Sequence, residues 1–128
     1  MLSIFPYPSA MGKATGRTNA ASKPRVLLAN EPRSYRQAIA QVLRTLRPDL
    51  AVEETEQASL DRELRRGVPE LVICSHATPM VRENAPAWVE LYTDDGPLSF
   101  VVIGKERSTV PGIELDDILR IVDQAVSR

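Results

Sequence analysis

The sequence predicts an α/β fold in which helices cover both faces of a doubly wound parallel sheet. Three short runs are almost entirely apolar, as expected of strands that are buried on both faces: residues 25–29 (RVLLA), 71–74 (LVIC) and 100–103 (FVVI). Helical segments separate these runs, and the alternation of strand and helix favours parallel strands joined by right-handed crossovers. At 128 residues, the chain has room for one such domain.

The first half of the chain supplies two strands and two helices. The first helix covers residues 34–46, where six apolar side chains recur at helical spacing, and it ends before Pro48, which disfavours helical conformation in the residue before it. Residues 50–54 (LAVEE) predict a second strand, which we place at an edge of the sheet because it carries acidic residues. Residues 59–66 predict a short helix, with Gly67 directly after its end.

Two further helices are predicted in the second half. Residues 86–92 form the first of them, with Pro86 in its first turn, where proline is tolerated. Residues 115–126 form the last helix, with their apolar side chains on one face. Asp116 and Asp117 lie in its first turn, which is the polarity that a helix dipole favours.

The composition predicts a soluble protein of the cytoplasm. The chain is 43% hydrophobic and 26% charged, and no apolar run is long enough to cross a bilayer, so we expect no membrane contact. The single cysteine, Cys74, cannot form an internal disulfide and gives no sign of an oxidising compartment. It lies inside an apolar run, which favours a position in the core.

The charged residues divide the chain into a tail and a domain. Residues 1–30 contain four basic side chains and no acidic one, whereas the remaining 98 residues carry 12 basic and 17 acidic side chains, a net charge of −5. Residues 1–24 lack apolar periodicity, so we predict a disordered basic tail and a domain over residues 25–128. A targeting peptide is the less favoured interpretation of the tail, and the mildly acidic domain argues against a nucleic-acid partner.

Two stretches of the sequence resemble the CheY-like receiver domain of response regulators. In that family the first strand ends in an acidic pair, often followed by Glu-Pro, and residues 26–36 (VLLANEPRSYR) place Glu31 and Pro32 in that frame. The third strand of the family ends in Asp-x-x-Met-Pro after Pro-Asp-Leu-Val, and residues 69–79 (PELVICSHATP) keep the same frame. The resemblance covers most of residues 25–103. It implies a flavodoxin/CheY-like parallel sheet of four to five strands and a role in bacterial two-component signal transduction.

The phosphorylation chemistry of that family requires a carboxylate nucleophile and a magnesium ion held by oxygen ligands. In the matching positions, the acidic pair becomes Ala29 and Asn30 with Glu31 beside them, or Asn30 and Glu31 if the register shifts by one residue. The phosphoacceptor aspartate becomes Ser75, whose hydroxyl cannot form an acyl phosphate, and the hydroxyl residue that ends the fourth strand becomes Gly104. We therefore interpret the domain as a pseudo-receiver that is not an enzyme, is not phosphorylated on aspartate and uses no metal or cofactor.

The chain also departs from the family in length. Only eleven residues separate Ile103 from Leu115, whereas a receiver fits a helix and a strand into this interval. We therefore predict a fold that is truncated near the fourth helix. Residues 108–110 then form a minimal last strand, or the sheet has four strands in all.

Ligands of open α/β sheets generally bind at the carboxyl ends of the strands. Five residues are expected to gather there: Asn30, Glu31, Ser75, His76 and Gly104. One interpretation is a small-ligand crevice at His76 and Thr78, where Thr78 replaces the methionine of the family and Glu31 and His76 bind an anion or a metal. We favour the alternative that Ser75 and Asn30 cap backbone groups, because no second carboxylate or histidine completes a metal site.

These observations favour a non-catalytic regulatory or scaffolding module that works through contact with a protein partner, with homodimer formation among the candidate contacts. Because a fold alone does not determine a function, three alternatives stay open. They are binding of a nucleotide or another small ligand in the crevice, phosphorylation of Ser75 by a kinase, and binding of nucleic acid by the basic tail.

Overall fold

The computed structural model describes residues 23–92 and 96–127, so the predicted tail lies outside the described residues except for its last two positions. Within these described ranges, one sheet contains six strands: β1 (Arg25–Leu28), β2 (Ala51–Glu54), β3 (Leu71–Cys74), β4 (Ala87–Glu90), β5 (Leu98–Ile103) and β6 (Glu106–Pro111). The same part of the chain contains four helices that pack around the sheet: α1 (Arg33–Leu46), α2 (Leu60–Arg66), α3 (Pro79–Asn84) and α4 (Leu115–Val126). A 3-10 turn, Gln57–Ser59, leads into α2. Among the described residues, no helix has the length and apolarity that a membrane span requires.

The strands lie in the order β2-β1-β3-β4-β5-β6, and the sheet is mixed. The pairs among β2, β1, β3 and β4 are parallel, whereas β5 pairs antiparallel with both β4 and β6. The prediction of a doubly wound parallel sheet of four to five strands is therefore wrong. The physical reason is the length of the connections, because a parallel return needs a crossover of a dozen or more residues and residues 91–97 are too few to provide it.

The predicted helix over residues 86–92 is also wrong, because Ala87–Glu90 forms the central strand β4. Its first three side chains are buried, and a short apolar run of this kind fits a buried strand as well as a helix. The helix of this region is α3, one segment earlier. Thr78 caps it: its side-chain oxygen accepts a hydrogen bond from the backbone N–H of Val81 at 3.2 Å.

The segment after β5 forms a hairpin where the resemblance to receivers implies a crossover. Gly104 and Lys105 are the two residues between β5 and β6, and Gly104 has a φ of 62°. Two-residue hairpin loops favour turns with positive φ at the first loop position, where glycine carries no steric penalty. The minimal strand predicted at residues 108–110 is thus part of a six-residue edge strand that runs antiparallel to its neighbour.

Two hydrophobic clusters lie on opposite faces of the sheet. Successive side chains of a strand point to opposite faces, so Val26 and Leu28 pack in one cluster while Leu27 and Ala29 pack in the other. The first cluster includes buried residues of α1 and α4: Ile39, Leu43, Ile118, Ile121 and Val122. The second includes residues of α2 and α3 together with an aromatic residue of β4: Leu60, Leu64, Val81 and Trp88. The helices therefore cover both faces of the sheet.

Candidate functional site

The carboxyl ends of β1 and β3 bring Glu31 and Ser75 into direct contact. Glu31 follows β1, and its backbone N–H donates a hydrogen bond to the Ser75 Oγ at 2.8 Å. Serine hydroxyls at strand-to-loop turns commonly serve backbone groups in this way. The Ser75 hydroxyl therefore ties the loop after β1 to the loop after β3.

Gln57, in the 3-10 turn, holds the loop after β3 through three hydrogen bonds. Its Oε1 accepts from the backbone N–H groups of Ser75 at 3.0 Å and His76 at 3.2 Å. Its Nε2 donates to the carbonyl oxygen of His76 at 2.8 Å, while the His76 residue itself is exposed. Sequence analysis missed Gln57, because its partners lie 18 and 19 residues away along the chain and no local pattern indicates such a bond.

The next two residues of the same loop are also bonded to side chains. The backbone N–H of Ala77 donates to Glu90 Oε2 at 2.8 Å. Thr78 Oγ1 donates to Asp61 Oδ1 at 2.6 Å while it caps α3, so the candidate crevice residue Thr78 has a structural role. Three consecutive backbone N–H groups, those of residues 75–77, are thus already satisfied by Gln57 and Glu90.

Asn30 does not cap a backbone group as the sequence predicts. The residue is fully buried, and neither its Oδ1 nor its Nδ2 has a hydrogen-bond partner among the described residues. Unpaired polar side-chain atoms in a protein interior carry a desolvation cost, so we expect Asn30 to lower the stability of the fold. Burial of this kind is a tertiary property that its position after β1 does not indicate.

Gly104 lies at the other end of the sheet from Ser75. Its backbone N–H donates to the carbonyl oxygen of Pro86, directly before β4, at 2.8 Å, whereas Ser75 follows the carboxyl end of the parallel neighbour β3. The structure therefore does not bring Gly104 to the predicted site. Ala29 is at the predicted end but is fully buried, and its N–H donates to the carbonyl oxygen of Ile73 at 2.7 Å.

The described residues contain no group of three or more His, Cys, Asp or Glu side chains placed to hold a metal ion. Glu31 is exposed, and Glu90 is engaged by the Ala77 N–H and lies 3.8 Å from the guanidinium of Arg82. Magnesium requires several oxygen ligands in a near-octahedral arrangement. The side chains at these strand ends do not supply such a set.

Cys74, directly before Ser75, is expected to be unreactive in the folded protein. The thiol is fully buried and donates to the carbonyl oxygen of Val89 at 3.6 Å. Burial, followed by the nearby charge of Glu90, raises its pKa from 9.0 to about 12. The thiol therefore stays protonated at neutral pH, and the thiolate is the reactive form.

This prediction can be measured with a thiol-specific chromogenic disulfide reagent. The native protein should show no reaction over minutes, and the unfolded protein in urea should show one thiol per chain. Complete reaction of the native protein within seconds would contradict the buried position of the sulfur.

A cleft that sequence analysis missed lies between the first turns of α1, the end of β2 and the start of α2. Its volume is about 500 Å³. It is lined by three arginines, two glutamates and three uncharged polar residues: Arg33, Arg36, Arg62, Glu54, Glu56, Gln37, Thr55 and Ser59. The arginines are separated in the sequence by up to 29 positions, so their convergence follows from the fold.

Comparison with protein families, curated proteins and solved structures found no match to this chain.

Proposed function

We propose that this domain is a non-catalytic regulatory or scaffolding module, which acts through binding and is not phosphorylated on aspartate. The observation that supports the proposal is the hydrogen bond from the Glu31 N–H to the Ser75 Oγ. Ser75 occupies the position that corresponds to the phosphoacceptor in the resemblance to receivers, and here its oxygen serves the backbone.

The surrounding groups support the same proposal. The backbone N–H groups of residues 75–77, which could otherwise stabilise a bound anion, donate to Gln57 and Glu90. Of the three residues that follow β1, Glu31 is the one with a carboxylate. A magnesium site needs more than one such ligand. Residues 26–36 and 69–79 resemble receiver domains. On that basis we propose that the module acts in signal transduction and binds another protein.

The test is a search for phosphoryl chemistry at Ser75. The protein is treated with acetyl phosphate and, separately, with beryllofluoride, each with and without magnesium, and is followed by NMR of the backbone amides and by intact mass. We expect no magnesium-dependent shifts at Glu31 or Ser75 and no gain of a phosphoryl group, while an authentic receiver domain treated in parallel responds to both reagents.

The Ser75→Asp variant is the matched control, because it restores the carboxylate but not the other groups. We expect this variant also to show no magnesium-dependent shifts and no gain of a phosphoryl group, because one added carboxylate does not replace the missing metal ligands. Stoichiometric, magnesium-dependent shifts around Ser75 in the unmodified protein, or its gain of a phosphoryl group, would overturn the proposal.

A further inference from the structure

We propose that the cleft between α1, β2 and α2 binds a small molecule that carries a phosphate group, with Arg36 as the central contact. The site is separate from the Ser75 loop, so the inference goes beyond the proposed function and assigns a ligand class to the module. Three observations support it: Arg36 is buried and incompletely paired, the cleft contains more arginines than glutamates, and the side chain of Glu56 is exposed.

Arg36 is buried and incompletely paired. Its side chain is 4% exposed, and its Nη2 donates to Glu56 Oε1 at 3.2 Å. Its Nε lies 3.9 Å from Glu54 Oε1, which is too far for a hydrogen bond. The Nε and Nη1 atoms therefore have no hydrogen-bond partner among the described residues, and unpaired donors of a buried charged group carry a large free-energy cost.

The charges of the cleft favour an anion. Three arginines face two glutamates, and one of these, Glu54, also accepts a hydrogen bond from Arg44 Nη1 at 3.1 Å. Arg33 and Arg62 are exposed, so a ligand that enters from solvent can reach both guanidinium groups. Arg62 Nη2 donates to Ser59 Oγ at 3.1 Å, which holds this guanidinium beside the cleft. The net positive charge at the opening attracts an anionic group.

Glu56 occupies the place that the ligand would take. Its side chain is 59% exposed, so the carboxylate can turn into solvent when a ligand takes its place beside Arg36. A ligand can therefore displace the carboxylate of Glu56 from Arg36 at low cost. A phosphate offers three terminal oxygens where a carboxylate offers two, and guanidinium groups bind phosphate through paired hydrogen bonds. Three arginines and one phosphate are thus well matched.

The experiment is a titration of the full chain with inorganic phosphate, compared with sodium chloride at equal ionic strength. Backbone amide signals and arginine Nε–H signals are followed by NMR. We expect saturable shifts at Arg33, Arg36 and Arg62 with a dissociation constant of about 1 mM, since a bare phosphate makes only part of the contacts of a larger ligand.

Variants of the cleft should change the affinity in opposite directions. Glu56→Gln removes the competing carboxylate and should tighten phosphate binding by about fivefold, the factor that corresponds to an exposed ion pair. Arg62→Gln should weaken it by about tenfold, as expected when a charge-assisted hydrogen bond is lost. The matched control is Arg65→Gln on the same helix, whose side chain does not line the cleft and should leave the affinity unchanged.

Three outcomes would overturn the inference. They are the absence of saturable shifts at phosphate concentrations on the order of tens of millimolar, weaker binding by Glu56→Gln than by the unmodified protein, and tighter binding of acetate than of phosphate. Failure here is distinguishable from failure of the proposed function, because binding in the cleft does not depend on magnesium and shifts the arginine signals, whereas phosphoryl chemistry depends on magnesium and shifts Ser75.

Discussion

Replacing Trp88 with alanine is expected to lower the free energy of unfolding by about 3–5 kcal/mol, which is the usual cost of removing a large aromatic side chain from a core. Trp88 is 3% exposed and lies on β4 in the cluster that includes α2 and α3. Its ring centroid is 5.7 Å from that of Phe100, and the guanidinium carbon of Arg82 lies 5.6 Å from the Trp88 ring. The substitution removes the contacts of both neighbours at once.

The measurement is urea unfolding followed by far-UV circular dichroism, because Trp88 is the only tryptophan and its fluorescence is lost in the variant. The matched control is Leu98→Ala on the neighbouring strand β5. Leu98 is 39% exposed, and its truncation should cost less than about 1 kcal/mol. Equal losses for the two variants would contradict the central position that we assign to Trp88.

Replacing Asn30 with leucine is expected to raise the free energy of unfolding by about 1–2 kcal/mol. The two side chains are similar in shape, and both polar atoms of Asn30 are buried without a hydrogen-bond partner among the described residues. An apolar replacement removes the desolvation cost of those atoms and adds the burial of apolar surface. The effect is unusual in sign, since most substitutions in a core destabilise.

The matched control is Asn30→Asp, which keeps the size of the side chain and adds a charge. An unpaired buried carboxylate should lower the stability of the protein strongly at neutral pH and less at acidic pH, where it is protonated. The measurement is urea unfolding of both variants at two pH values. A lower free energy of unfolding for Asn30→Leu would show that the amide of Asn30 has a partner that matters.

The long periodic elements could be predicted from the sequence. The last helix, Leu115–Val126, has the bounds that its apolar spacing predicts, and α1 differs from its predicted range by a single residue at its start. Periodicity over three or more turns distinguishes a helix from a strand, because only one of the two places all the apolar side chains on one face. The buried strand Leu71–Cys74 is equally clear from its continuous apolar run.

The wrong prediction of a parallel sheet came from a segment whose apolar side chains show no helical spacing. Residues 87–90 (AWVE) are too few to distinguish a helix from a strand, and the direction of the following strand depends on the length of the connection. Because residues 87–90 form a strand, only seven residues connect it to β5, which is too few for the crossover that a parallel pair requires. The predicted strand at residues 100–103 was therefore right as an element and wrong in its direction.

The candidate sites were predictable only in part. Position after a strand correctly places Ser75 and Glu31 at the same end of the sheet, because the carboxyl ends of parallel strands meet there. Position along the chain does not reveal that Gln57 holds the loop or that Arg36 is buried, since both depend on partners about 20 residues away. Side chains that act across such distances become visible only in three dimensions.

The burial of Cys74 makes the protein convenient for spectroscopic labelling. Cys74 is the single cysteine of the chain, and its thiol is inaccessible in the folded protein. A cysteine introduced on the surface would therefore be the sole site of attachment for a fluorophore or a spin label. Ser108 on the outer strand is exposed and offers such a position, so Ser108→Cys would report on the outer strand without any substitution in the interior.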